Sequence, residues 1–375
     1  NLKNVAIATQ NRDLMRDFFG TLKSLDQYLK FTFVTGVSKF SQVSLFSGPN
    51  NLTDITMNPK YAAMMGYTED ELVQGFSQHI KAVAKDRSEQ EEKILTEIRD
   101  WYNGYRFSEK ELSVYNPYST LRFLGEKKAE SYWYSTGTPS FLVDEVKKHP
   151  RAVIPLKGAR ALKSTLSDIS KIDRISLPAL MFQTGYLTIC DYSKEDKVYS
   201  LDFPNEEVRQ AFFDSLLEEF TEINPVEVID EAKEVRQLLE SYDLKGFVAK
   251  INSHFAKIAY QVFAKAHEGF YQAVFFTFLE KSGIATITEM ATNIGRIDLV
   301  SETENKVFIF ELKVDKEPEN ALIQAEAKKY RERFSESGKQ ILVMGINFNS
   351  TSRNIADWKG EVFFPDGTLT QQLSP

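Results

Sequence analysis

The stretch Val307-Phe308-Ile309-Phe310-Glu311-Leu312-Lys313-Val314 is an apolar run broken by one acid and one base. Valine, isoleucine and phenylalanine at this density favour a strand. A lone glutamate among them needs a reason, because a charge is not left in apolar surroundings without a partner. Just upstream, residues 294–300 read as a second strand that carries Asp298, and the polar residues 301–306 read as the turn between the two. A turn centred between Glu304 and Asn305 sets Asp298 directly opposite Glu311, with Cα atoms roughly 4.5–5.5 Å apart. Side chains alternate along a strand, so Glu311 and Lys313 share one face, while Phe308, Phe310, Leu312 and Val314 share the other, buried one.

Two opposed carboxylates repel unless something positive lies between them. A hard divalent cation, held by carboxylate and carbonyl oxygens, meets that need. Such a cation lowers the pKa of a bound water and stabilises charge on a phosphoryl oxygen. Lys313, two residues along, is placed to orient the attacking water or to neutralise a phosphate. The same spacing also suits a solvated Glu–Lys pair on a strand face.

Working outward, a helix is expected over residues 261–281 before the hairpin. A helix over 319–334, a strand over 340–346 and a short strand over 362–364 are expected after it. This order is that of an α/β unit, a sheet covered by helices. The chain before it reads as mainly helical, with helices over 11–30, 69–84, 87–101, 116–125, 139–148, 205–221 and 225–260. Asn116 followed by Pro117 suits an N-cap and first helical position. Residues 31–35 read as a buried strand stopped by Gly36, and residues 186–189 and 198–201 as a small strand pair. The expected organisation is 1–222, a helical connector 223–260, and an α/β domain 261–375.

The 375 residues suffice for two or three domains, and 42% hydrophobic with 26% charged residues is ordinary for a globular protein. The net charge of -7 excludes a basic nucleic-acid coat, and the lone Cys190 excludes a disulfide framework or a cysteine zinc site. Histidines at 79, 148, 254 and 267 form no HExxH pattern. No apolar run is long enough to span a membrane and no signal peptide is evident, from which a cytoplasmic location is expected. Residues 261–375 hold 13 Lys and Arg against 16 Asp and Glu, so nucleic-acid affinity must come from a local groove and bound metal.

Gly295-Arg296-Ile297-Asp298, Phe310-Glu311-Leu312-Lys313, Gln324 with Tyr330, and Leu342-Val343-Met344-Gly345-Ile346-Asn347-Phe348 together resemble the PD-(D/E)XK nuclease superfamily. The likeness is to the branch fused to an AAA-ATPase-like domain in bacterial proteins. It implies a mixed sheet flanked by helices and Mg²⁺ (or Mn²⁺) held by Asp298 and Glu311. It also implies Lys313 as the catalytic lysine, Gln324 beside the site, and Glu268 as the acid of the first core helix. Gly295 stands where the name-giving motif has proline. Nucleic acid is the implied partner. Arg296, Lys328, Tyr330 and Arg331 are its candidate contacts, with Gln324, Lys328 and Arg331 on one helical face by their spacing.

Phe33-Val34-Thr35-Gly36, Trp101-Tyr102-Asn103-Gly104-Tyr105-Arg106-Phe107, Asn116-Pro117-Tyr118-Ser119, Tyr132-Trp133-Tyr134-Ser135-Thr136-Gly137-Thr138-Pro139 and Phe203-Pro204-Asn205-Glu206-Glu207-Val208-Arg209 resemble the AAA-ATPase-like part of the same branch. Thr35 is then the candidate nucleotide sensor. A P-loop needs G-x-x-x-x-G-K-[ST], and no such string occurs. The chain therefore reads as the C-terminal portion of a longer protein, with ATP a cofactor only of the full-length form and homo-oligomers formed through the ATPase-like part. Two alternatives stay open at this point. One is a scaffold that binds nucleic acid or protein without cutting. The other is the C-terminal part of an ATP-driven regulator whose motor lies upstream of Asn1.

Overall fold

A computed structural model describes residues 5–36, 53–133, 142, 158–167, 176–221, 225–258, 268–291 and 296–375. The chain divides into two compact units, one of residues 1–138 and 158–209, the other of 139–157 and 210–375. The second unit thus takes in the helices of 225–256, expected to be a connector.

The first unit opens with α1 (Val5–Ser24). Leu14, Phe18, Leu25 and Leu29 are exposed. The strand expected over 31–35 is absent: the segment is irregular, and Phe31, Phe33 and Val34 face solvent. Apolar composition makes a strand only where a neighbour accepts its N–H groups and donates to its carbonyls. No such neighbour pairs with this segment among the described residues. The expected helix over 139–148 and the motif residues 134–139 lie outside the described residues, apart from Leu142.

Helices α2 (Glu69–Arg87), α3 (Glu91–Tyr102) and α4 (Pro117–Glu126) build the core of this unit. Leu72, Ile80, Val83, Ile94, Ile98, Tyr102, Tyr115 and Phe123 are buried together. Thr68 and Glu71 form a reciprocal capping box at the start of α2. Asn116 caps α4, accepting from the Tyr118 and Ser119 N–H groups, with Pro117 at the first helical position. The expected strand pair gains a third member. β1 (Ala159–Leu162), β2 (Thr188–Ser193) and β3 (Val198–Asp202) pair antiparallel in the order β1-β3-β2, alongside α5 (Lys163–Ser167) and α6 (Leu177–Gln183).

The aromatic motifs of this unit tie together at a buried acid. Asn205 donates to the Asn103 carbonyl at 2.7 Å. Gly104 has φ +97°, and a Cβ there would lie 1.8 Å from the Pro204 carbonyl oxygen, so only glycine fits. Asn205 Oδ1 accepts from Val208 N–H at 3.1 Å, in the first turn of α7 (Glu206–Thr221). Glu207 on that turn is fully buried, and its Oε1 accepts from Ser119 Oγ at 2.9 Å and from Trp133 N–H at 2.7 Å. Burial pushes its carboxyl up to about 7, against the pull of these donors.

In the second unit the helix expected over 225–260 is two helices, α8 (Pro225–Glu240) and α9 (Leu244–Ala256). Tyr242 at φ 61° breaks the run, and Asp243 caps α9 through the Gly246 N–H. Next come α10 (Glu268–Lys281) and a six-stranded sheet. Its strands are β4 (Ala285–Ala291), β5 (Arg296–Glu302), β6 (Lys306–Val314), β7 (Gln340–Asn349), β8 (Asn354–Phe363) and β9 (Leu369–Leu373), hydrogen-bonded in chain order. β4 and β9 are additions to the expected strands. Only β6 and β7 run parallel, joined by a crossover through α11 (Pro318–Ala327); the other pairs are antiparallel.

The crossover makes β6 an inner strand covered on both faces, in keeping with the helix-covered sheet expected. Val307 and Ile309 pack with Ala325, Tyr330, Phe334, Ile341 and Val343 on the α11 side. On the other side Phe310 stacks with Phe247 of α9 and meets Phe275 of α10 edge-on, at centroid distances of 6.3 and 5.3 Å. Near-continuous apolar runs are what parallel neighbours require. The charged pair therefore lies on a covered face, against the solvated alternative.

Candidate active site at the open end of the hairpin

The β5–β6 register is the one the turn predicts: Leu299 pairs with Phe310, Val300 with Ile309, Ser301 with Phe308 and Glu302 with Val307. The next step in that register sets Asp298 opposite Glu311, just where the regular ladder stops. There the Leu312 N–H donates to Asp298 Oδ2 at 2.8 Å, so the aspartate side chain takes the place of a strand carbonyl. The hairpin opens at this point, with its two acids at the mouth.

Glu311 is fully buried. Its Oε1 accepts from Lys313 Nζ at 2.8 Å and from the Gln324 side-chain amide, while its Oε2 is buried without a hydrogen-bond partner. Burial raises its pKa first, the Asp298 charge raises it further, and Lys313 opposes both. Lys313 is itself largely buried, with its side chain 14% exposed. Alternation along β6 and the seating of α11 on the Glu311 face bring these groups together.

Gln324 sits two turns into α11, and its amide also reaches Tyr330 Oη at 3.3 Å. Tyr330 Oη donates to the Arg296 carbonyl at 2.6 Å. A chain of hydrogen bonds thus runs from Glu311 through Gln324 and Tyr330 back to β5, two residues from Asp298. Tyr330 is completely buried, which corrects its place among the nucleic-acid contacts: it braces the site from within.

The shared face of Gln324, Lys328 and Arg331 does not form. α11 ends at Ala327, Lys329 takes φ 51°, and residues 330–334 form a 3₁₀ turn, so the helical spacing lapses before Arg331. Arg331 pairs with Glu326 at 2.6 Å and lies 3.8 Å over the Phe363 ring. Lys328 is half-buried as the residue closing α11, and Arg296 is exposed at the start of β5. Glu268 opens α10, but its side chain lies outside the described residues, as does Gly295. Thr35 is exposed on irregular backbone in the first unit.

Among the described residues no three His, Cys, Asp or Glu side chains gather into a metal cluster. The donor set at the hairpin is two carboxylates, one with a buried, unpartnered oxygen. That suits a hard cation such as Mg²⁺, which takes one or two carboxylates and keeps several waters. The bracing role of Tyr330 escaped the sequence reading. An aromatic flanked by Lys329 and Arg331 reads as surface, and only the end of α11 turns it inward.

Residues 266–358 match the model of the PD-(D/E)XK nuclease superfamily, and residues 1–46 match that of a predicted AAA-ATPase. The "Uncharacterized protein in vnfD 5'region" of Azotobacter chroococcum mcd 1 is 33% identical over 363 residues, 95% of this chain and 68% of that protein. No solved structure matches the chain. No helix among the described residues is long and apolar enough to cross a membrane.

Proposed function

The chain belongs to the family that joins an AAA-ATPase-like segment to a PD-(D/E)XK nuclease superfamily domain, and on that premise we propose that its second unit hydrolyses phosphodiester bonds in nucleic acid with a divalent metal, Mg²⁺ or Mn²⁺. The observation that carries this reading is Glu311: fully buried, opposite Asp298, with one carboxylate oxygen bound to Lys313 and the other unpartnered. A buried acid facing a second acid is costly unless the pair serves a cation or a proton.

Asp298 and Glu311 hold the cation. When bound, it activates a water and stabilises charge on a phosphoryl oxygen. Lys313 keeps an ammonium beside the carboxylates, where it orients the water or offsets phosphate charge. Gln324 fixes the rotamer of Glu311. Arg296, exposed at the mouth of the hairpin, contacts the substrate backbone. The sequence holds no P-loop string, so the hydrolysis proposed is of nucleic acid and not of ATP.

The test is cleavage of labelled single-stranded, duplex and branched DNA and RNA with Mg²⁺ or Mn²⁺. Asp298→Ala and Lys313→Ala are expected to lose at least ~10²-fold in rate, the scale of removing one group that stabilises transition-state charge, when assayed at a temperature where circular dichroism shows each variant folded. A parent that cuts none of these substrates under either metal, with both variants indistinguishable from it, sinks the reading. The non-cutting scaffold is then the better account.

A further inference from the structure

Gly345 lies on β7 beside Glu311 in the parallel ladder and beside Lys359 of β8 on its other side. Helix α11 occupies the space where a side chain would stand. A Cβ on Gly345 would lie 2.5 Å from the Pro318 carbonyl oxygen, 2.9 Å from Ala321 Cβ and 3.5 Å from Leu322 N. The first two are closer than packed atoms allow, and one of them is backbone. Gly345 is not among the residues at positive φ, so closeness rather than conformation calls for glycine.

The entry to the helix is pinned to the same strands. Asp315 N–H donates to the Phe348 carbonyl at 2.9 Å, Lys316 N–H donates to Asn347 Oδ1 at 3.0 Å, and Glu319 pairs with Lys359. Further along the same helix, Gln324 donates to Glu311 Oε1. The bare backbone at 345 sets how low α11 sits on the sheet, and that height sets the reach of the Gln324 amide.

We propose that Gly345 is a positioning residue for the Glu311 carboxylate, acting through α11 and Gln324; its consequence for metal and cleavage rests on the nuclease reading above. Gly345→Ala lifts the first turn of α11 and draws Gln324 away from Glu311. Ala321→Val does so from the helix side without altering β7, because Ala321 is fully buried over Gly345.

The first measurement uses the metal-free protein. The side-chain amide resonances of Gln324 are identified by nuclear magnetic resonance as the pair missing from Gln324→Ala. In Gly345→Ala and in Ala321→Val that pair is expected to move towards the position of a free amide, in the same direction. The second measurement is a Mn²⁺ titration. Gly345→Ala should weaken Mn²⁺ binding ~10-fold, the lower end of effects from groups that orient a ligand, and add little once Gln324→Ala is present. Should Gly345→Ala fail to fold, Ala321→Val carries both measurements. An amide pair that stays put in the folded variants overturns the inference, as does a loss of Mn²⁺ binding that persists in full on the Gln324→Ala background. A parent that binds no Mn²⁺ and cuts nothing overturns the nuclease reading instead, and the amide shift alone then decides the role of Gly345.

Discussion

Glu207 in the first unit and Glu311 in the second are the same residue in the same degree of burial, set among different partners. Each is fully buried, with Oε1 engaged and Oε2 unpartnered. In each, burial is the largest influence and raises the carboxyl's pKa. The surroundings separate them. Glu207 is met by neutral donors, Ser119 Oγ and the Trp133 N–H, and no ion pair reaches it among the described residues. Glu311 is met by a cation, Lys313, and is pushed further by a second acid, Asp298. Burial alone therefore does not mark chemistry. A buried acid among neutral dipoles needs no charged partner, while a buried acid facing a second acid needs a positive charge beside it, which Lys313 supplies here.

The sharpest way to break this contrast is to make the same substitution at both. Glu311→Gln keeps the shape and removes the charge, and is expected to lower cleavage by ~10²–10³-fold, as loss of a charge-stabilising group does. Glu207→Gln is expected to leave cleavage unchanged in the same assay. Equal losses in the two variants would show that the two acids do not differ in role.

A smaller effect appears in stability. Glu207→Leu strands the Ser119 hydroxyl and the Trp133 N–H in the core, which costs about 2–4 kcal/mol in total. At pH 4.5 and below, where folded Glu207 holds its proton, Glu207→Gln keeps an oxygen for both donors and costs less than about 1 kcal/mol. Urea unfolding followed by tryptophan fluorescence separates them, and equal losses would deny the hydrogen bonds their part.

An effect of similar size appears in the pH dependence. The folded value for Glu207, about 7, lies above the ordinary carboxylate value of 4.5. The folded state therefore holds the proton more tightly than the unfolded chain. This contribution is complete below pH 4.5, fades as pH rises towards 7, and is flat above. Over that window it amounts to about 3 kcal/mol at most. The difference in unfolding free energy between parent and Glu207→Gln, measured from pH 4 to 9, should follow this curve. A constant difference would place the folded value in the ordinary range.

The hairpin was the most legible part of the molecule. Its turn centre and alternation are local properties, and they suffice to set the register that brings Asp298 across from Glu311. The cap at Asn116 and Pro117 is equally local, and the structure has it where the sequence places it. The strand expected over 31–35 failed because a strand is a relation between segments, and apolar composition cannot supply the neighbour. The long helices expected over 225–260 and 319–334 failed at Tyr242 and Lys329, where left-handed backbone interrupts periodic sequence. Neither residue is a glycine, and at the first break the only local signal was Asp243, a residue suited to cap a new helix.

What the sequence determined by itself is the alignment of the two acids across the hairpin and the place of Lys313 two residues beyond Glu311, and both follow from turn position and strand alternation. The likeness to the nuclease superfamily was carried by the motif residues themselves, and the match over residues 266–358 agrees with it. What only the tertiary structure decided is that Glu311 is buried on a covered strand, that Gln324 and Tyr330 close a hydrogen-bonded chain behind it, and that Gly345 leaves room for the helix that carries Gln324. Those facts depend on the parallel crossover of β6, α11 and β7 and on α9 and α10 covering the opposite face. Packing between segments far apart in sequence sets desolvation, and desolvation sets what a carboxylate can do.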